Sequence, residues 1–327
     1  MSYKKWIKIT IKYLFTIYIF IISLNYIVNP MQIFEHNLLN NKKYKYTTEN
    51  AVFKYNTLKK NRFNLIFGTS RSHLVSSKML SYQTLNLHSI YGYPSNVEHF
   101  LFSLNEKQLK NINKIYYLID LHTLNINNQN KLINYNDTIE IRYNQIKGLV
   151  FINIKELISN IFNNYVKQAT SYLDQKHGYS IMQNTQTSTP HSYFNNFKFT
   201  DSQTYNLDIV KKIIKIQNFC YKHNVKIVFL TPTFPMETLN LMNLDKEYNK
   251  INFLLENGLE KIEVLYYIPN ISDLIIDKKY LAFTDPVHLN YKYQEIIMNT
   301  LLHDKYEIKN KKILKEHFRS IRNSLRN

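Results

Sequence analysis

With Cys220 as its only cysteine, the chain can form no intrachain disulfide, so a fold of 327 residues must rest on buried apolar surface. That shortage alone neither supports nor excludes an extracytoplasmic location. Alanine is almost missing, with Ala51, Ala169 and Ala282 the only examples. None precedes Ala51, so the N-terminal apolar run lacks the small-residue site at which a signal peptide is cut. Glycine occurs five times, and no glycine stands in a G-x-x-x-x-G-K-[ST] or G-x-G-x-x-G frame, which leaves nucleotide binding unsupported. Acidic residues are outnumbered, 24 against 42 Lys and Arg, giving a net charge of +18. The lysines are dispersed in the manner of an AT-rich coding bias. They form no focused basic groove, which argues against a nucleic-acid partner. His73, His88, His99, His122 and His191 have no metal-ligand spacing, so neither a metal nor a cofactor is expected.

What is present begins with a basic tail, residues 1–8, and an apolar run over 9–28. About 20 residues make roughly 30 Å of helix, enough to cross a bilayer, with Trp6 and Tyr26 at headgroup depth. The reading is an uncleaved membrane anchor; a buried core helix is the alternative. The basic leader places the N-terminus in the cytoplasm and the remainder outside, opposed only by Lys42, Lys43 and Lys45. Residues 29–62 form a polar connector. From 63 to 303, strand-like and helix-like stretches alternate, which predicts an α/β domain with one parallel sheet. The expected strands are Phe63–Phe67, Thr84–His88, Ile115–Leu121, Val225–Thr231 and Ile262–Ile268. The expected helices are Ser76–Leu80, Asn96–Gln108, Asn206–His223, Lys246–Gly258 and Asn290–Leu302. A polar insertion over about 125–201, helical near Leu149–Tyr172 and loop-like near Ser180–Ser192, interrupts the alternation. The tail 304–327 is basic and amphipathic, with Leu314, Phe318, Ile321 and Leu325 at helical spacing. It suits either an anionic surface or packing on the domain.

Two stretches carry chemistry. Phe63–Phe67 runs into Gly68-Thr69-Ser70-Arg71, which leaves a hydroxyl at the carboxyl end of a buried strand, where open α/β sheets hold ligands. Ser70 is the candidate nucleophile. Arg71 beside it fits two roles equally, binding a substrate carboxylate or phosphate, or forming a structural salt bridge. In Asp285-Pro286-Val287-His288, the carboxylate and imidazole share one helical face, so Asp285 can orient His288 as a base. An Asp-Pro helix start beside a satisfied histidine gives the same pattern.

A G-x-S turn after the first strand, Gly92 after the second and D-x-x-H before the last helix together resemble the SGNH (GDSL-type) hydrolase superfamily. The likeness is to its membrane-anchored branches with a GTSR-like first block, such as those related to the alginate O-acetylation proteins and DltD. It covers about 63–123 and 206–302. The resemblance implies a flavodoxin-like three-layer α/β/α fold, with Ser70 as nucleophile, His288 as base and Asp285 as its orienting partner. The Ser70 and Gly92 N–H groups would form the oxyanion hole. The family's G-x-N-D block is absent, since strand three ends Ile119-Asp120-Leu121-His122; either Asn96 or Asn125 replaces its donor, or the role is missing. The implied function is a serine O-acyltransferase or esterase acting on O-acyl groups of a cell-surface glycan, served by a multi-spanning acyl-donor partner. A catalytically inactive glycan-binding or assembly protein is the alternative.

Overall fold

The computed structural model describes residues 2–28, 62–72, 83–88, 92–120, 123–124, 143, 146–147, 158, 171–173, 180–182, 205–268 and 306–326. Helix α1, Tyr3–Val28, is long and apolar enough to cross a membrane, and its apolar window is not buried against the rest of the chain. Its 26 residues correspond to about 39 Å, more than the ~30 Å hydrocarbon core.

The domain is α/β. Strands β1 (Phe63–Phe67), β2 (Thr84–Asn86) and β3 (Ile112–Leu118) are followed by a separate antiparallel pair, β4 (Ser171–Leu173) and β5 (Ser180–Met182). Then come β6 (Lys226–Leu230), β7 (Ile262–Glu263) and β8 (Glu307–Ile308). The main sheet has six strands in the order β2-β1-β3-β6-β7-β8, all parallel except β8, which lies antiparallel to β7. Every residue of β1 is buried, as a central parallel strand covered on both faces requires.

Helices α2 (Pro94–Phe102), α3 (Glu106–Lys110), α4 (Leu207–Lys222), α5 (Met236–Leu241), α6 (Leu244–Glu256) and α7 (Lys311–Ser324) complete the described elements. The abundant asparagines are put to use at helix starts. Asn105, Asn206, Asn243 and Asn310 each accept a backbone N–H of the first turn of α3, α4, α6 and α7. Helix α2 packs on α4, and α6 on α7. On one sheet face, Phe67, Phe100, Tyr117 and Phe229 form a chain of ring contacts at 5.6–6.2 Å.

Several boundaries differ from the sequence expectation for identifiable reasons. The single helix expected over Asn96–Gln108 is two. Ser103 Oγ turns back to Phe100 O, and Asn105 with Gln108 forms a capping box that restarts the chain as α3. Strand β3 begins earlier than Ile115 because Asn113 Nδ2 donates to Asn64 Oδ1 on β1, satisfying a polar side chain inside the sheet. Strand β7 stops at Glu263. Beyond it, Leu265 N donates to Thr231 Oγ1 and Tyr266 O accepts from Phe234 N, so loop partners replace the ladder. In the insertion, Tyr172 lies in β4, not in a helix, and Ser180–Met182 is strand, not loop. The expected helices Ser76–Leu80 and Asn290–Leu302 lie outside the described residues. The C-terminal amphipathic segment packs on the domain, with Leu314, Phe318 and Ile321 of α7 in the main core.

Candidate active site

The strand order reverses direction between β1 and β3, which makes the carboxyl ends of these neighbours the topological switch point. Gly68 ends β1 there, and the chain tightens into one 3-10 turn, Ser70–Ser72. Ser72 donates to Thr69 O through both N (3.1 Å) and Oγ (3.0 Å). A Cβ on Gly68 would lie 2.6 Å from Ser72 Oγ and 3.1 Å from Leu118 Cβ, so any larger residue would force Ser72 and the neighbouring β3 side chain to shift. Ser70 is exposed at the top of this turn, between the partly buried Thr69 and Arg71.

Those two flanking residues are held by one carboxylate. Asp120, two residues past β3 and 1% exposed, accepts from Thr69 Oγ1 at one oxygen and from Arg71 Nη1 at the other. A buried carboxylate needs such partners, because an unpaired charge there would carry its full desolvation cost. The guanidinium also lies over Phe234, 5.3 Å from the ring centroid, in the loop after β6. Phe234 in turn touches Tyr266, whose hydroxyl donates to Glu247 Oε2 at 2.6 Å. Burial, then the negative charge and hydrogen bond of Glu247 and the charge of Asp120, raise the Tyr266 phenol well above its ordinary pKa, with Arg71 pulling the other way. Burial and then Asp120 raise Tyr117 likewise. Both phenols stay protonated donors at neutral pH.

Gly92 is brought to the same place. A Cβ on it would sit 3.0 Å from Gly68 O, Thr69 N and Thr69 Cγ2, so its backbone lies directly against the turn that presents Ser70. Asn96, in the early part of α2, is 1% exposed. The end of β2 braces the turn from the other side. Asn86 Nδ2 donates to Ser72 O (2.7 Å), while Asn86 Oδ1 accepts from His88 N (3.0 Å) and lies 3.1 Å from His88 Nδ1.

Ser70, Arg71 and Gly92 are therefore together at one sheet edge. For Arg71 the structure shows the salt-bridged arrangement, with Asp120 as partner. Asp285 and His288 lie outside the described residues. Among the described residues, no group of three or more His, Cys, Asp or Glu is placed to hold a metal. Sequence reasoning assigned no role to Asp120, Asn86 or His88. The available signal was position: Asp120 and His88 each follow an apolar strand run at its carboxyl end, as Ser70 does. No protein-family model matches the chain, and no curated protein matches it in sequence.

Proposed function

We propose that the chain is a membrane-anchored serine O-acyltransferase or esterase of SGNH-like, three-layer architecture, acting outside the cytoplasm on O-acyl groups of a cell-surface glycan. The observation that carries this reading is the exposed Ser70 at the β1/β3 switch point, flanked by two residues fixed on Asp120 and backed by the Gly92 backbone. In the proposed reaction, His288, oriented by Asp285, takes the Ser70 proton as Oγ attacks the acyl carbonyl. The Ser70 and Gly92 N–H groups receive the oxyanion. Collapse expels the alcohol, which takes the proton from His288 and leaves an acyl-serine. A sugar hydroxyl or water then attacks in the reverse sense. Helix α1 serves as the anchor, with Lys4, Lys5 and Lys8 on the cytoplasmic side, and a multi-spanning partner delivers the acyl donor.

One observation favours the second reading, a non-catalytic glycan-binding or assembly protein. At the end of β3, where the family's asparagine would donate to the oxyanion, this chain has Asp120, and both carboxylate oxygens are already engaged. Labelling with a serine-reactive fluorophosphonate separates the two. The enzyme reading expects labelled wild-type protein and no label on Ser70→Ala. Folded wild-type protein that takes no label supports the binding reading.

A further inference from the structure

Helix α7 buries Leu314, Phe318 and Ile321 against the domain, and of its large apolar residues Ile313 stays exposed. Its charge is not spread evenly over the remaining surface. Lys312, Lys315, Arg319 and Arg322 follow one another at spacings of three, four and three residues, and Arg326 continues the row just past the helix end. Such spacing places them in one row along the helix, roughly 110° around from the apolar spine. Glu316 is the only acid in the helix and lies off this row. Lys312, Lys315, Arg319 and Arg326 are exposed, and none has an ion-pair partner among the described residues. Arg322 pairs with Asp245, and Lys311, beside the row, lies 3.5 Å from Glu256.

We propose that this row is a contact surface for the anionic headgroups of the bilayer that α1 enters, and that it orients the domain on the membrane. The proposal rests on the anchor reading of α1 but on neither reading of Ser70. Three observations select a lipid surface over a free polyanion. The row stands on the convex side of a helix, straight over about 15 Å between Lys312 and Arg322, and suits a plane more than a strand needing a groove. The bilayer is within reach, since residues 29–62 span at most about 120 Å when extended. Among the described residues no aromatic side chain stands in the row, since Phe318, between Lys315 and Arg319 in sequence, is buried in the core, whereas a sugar- or base-stacking surface would interleave exposed rings. Each Lys or Arg near an anionic leaflet raises partitioning by roughly fivefold, and the effect fades beyond about 10 Å at moderate salt.

The test uses the full chain carrying Asn323→Cys, labelled with a fluorophore. The native Cys220 is buried and its thiol is pushed up to about 12, so it does not compete for the label. Protein is mixed with vesicles of phosphatidylcholine, or of phosphatidylcholine with about a third phosphatidylglycerol, each containing a headgroup quencher; flotation and quenching are read together. Flotation with both, with quenching only on anionic vesicles and reversed by about 0.5 M salt, is the expected result. Lys312→Gln, Lys315→Gln and Arg319→Gln combined should lower the quenched fraction at least about fivefold, whereas Lys107→Gln with Lys110→Gln should leave it unchanged. Flotation with anionic vesicles alone keeps the row as a membrane contact and removes the anchor reading. Flotation with both and equal or no quenching keeps the anchor and overturns the row. An equal loss in the two variants reduces the effect to net charge and also overturns it. Flotation with neither overturns both, and binding to soluble polyphosphate alone assigns the row to a polymer.

Discussion

At the scale of single residues, the carboxylate of Asp120 has more to hold than its place in the sequence indicates. It joins Thr69 and Arg71, 51 and 49 residues away, across the β1–β3 contact. Asp120→Ala would leave Arg71 partly buried, its side chain 15% exposed, with its charge uncompensated. Breaking a buried pair costs about 3–5 kcal/mol, and the residual exposure of Arg71 places this case near ~3 kcal/mol. Asp120→Asn keeps an acceptor for Thr69 and should cost less. Urea denaturation of both variants checks the order, and equal stability of Asp120→Ala and wild type would show that the pair contributes nothing. Gly92→Ala is a gentler probe of the same turn. Its Cβ meets backbone atoms at 3.0 Å, so the Ser70 turn must move by a few tenths of an ångström, at a cost of about 1–3 kcal/mol. If Ser70 is the nucleophile, fluorophosphonate labelling should slow by more than that loss of stability explains at temperatures where the variant is folded. The tight turn after β1 and the close backbone approach at Gly92 were legible in the sequence, because in a chain with five glycines Gly68 and Gly92 stand out as backbone constraints. The Asp120 bond was not legible, because no local pattern encodes which residues face each other across two strands.

At the scale of elements, the strongest apolar runs could be read directly. Phe63–Phe67 is β1 to the residue, and Val225–Thr231 exceeds β6 by one residue at each end. What could not be read was decided by partners distant in sequence: the short antiparallel β8, the β4–β5 pair and the early end of β7. Helix α7 shows the same dependence. Its apolar spacing predicts a helix but not its seat, where Phe318 meets Tyr248 and Tyr266 edge-on at 5.7 and 6.0 Å. Docking also traps His317, whose burial lowers its pKa to about 4 although a backbone hydrogen bond at Val264 acts in the opposite direction. The folded state thus resists protonation that the unfolded chain accepts near pH 6.5. Stability is complete above that value and falls as pH drops from about 6.5 towards 4, by up to about 3 kcal/mol from this group. Denaturation midpoints at pH 7 and pH 5 should differ less in His317→Gln than in wild type. An unchanged difference would assign the acid sensitivity elsewhere.

At the scale of the whole molecule, α1 is the one helix among the described residues long and apolar enough to cross a membrane, and the anchoring proposed for it bears on the chemistry proposed at Ser70. An enzyme scavenging soluble esters gains from release, whereas one that modifies a membrane-linked or wall-linked polymer gains local concentration by staying attached. This logic requires the domain to face the compartment that holds the polymer. A reporter active only outside the cytoplasm, fused after Asn327, should therefore work, and a reporter active only inside should not. Given that orientation, the proposed enzyme would divide between transfer and hydrolysis according to whether a sugar hydroxyl or water reached the acyl-serine first. The deciding measurement is the acyl content of the surface glycan in a strain carrying Ser70→Ala, with protein level and membrane retention matched to wild type. Lower content means that Ser70 passes acyl groups to the polymer. Higher content means that it removes them. Unchanged content, together with wild-type protein that takes no fluorophosphonate, means that the clamped turn presents Ser70 for binding and not for bond cleavage.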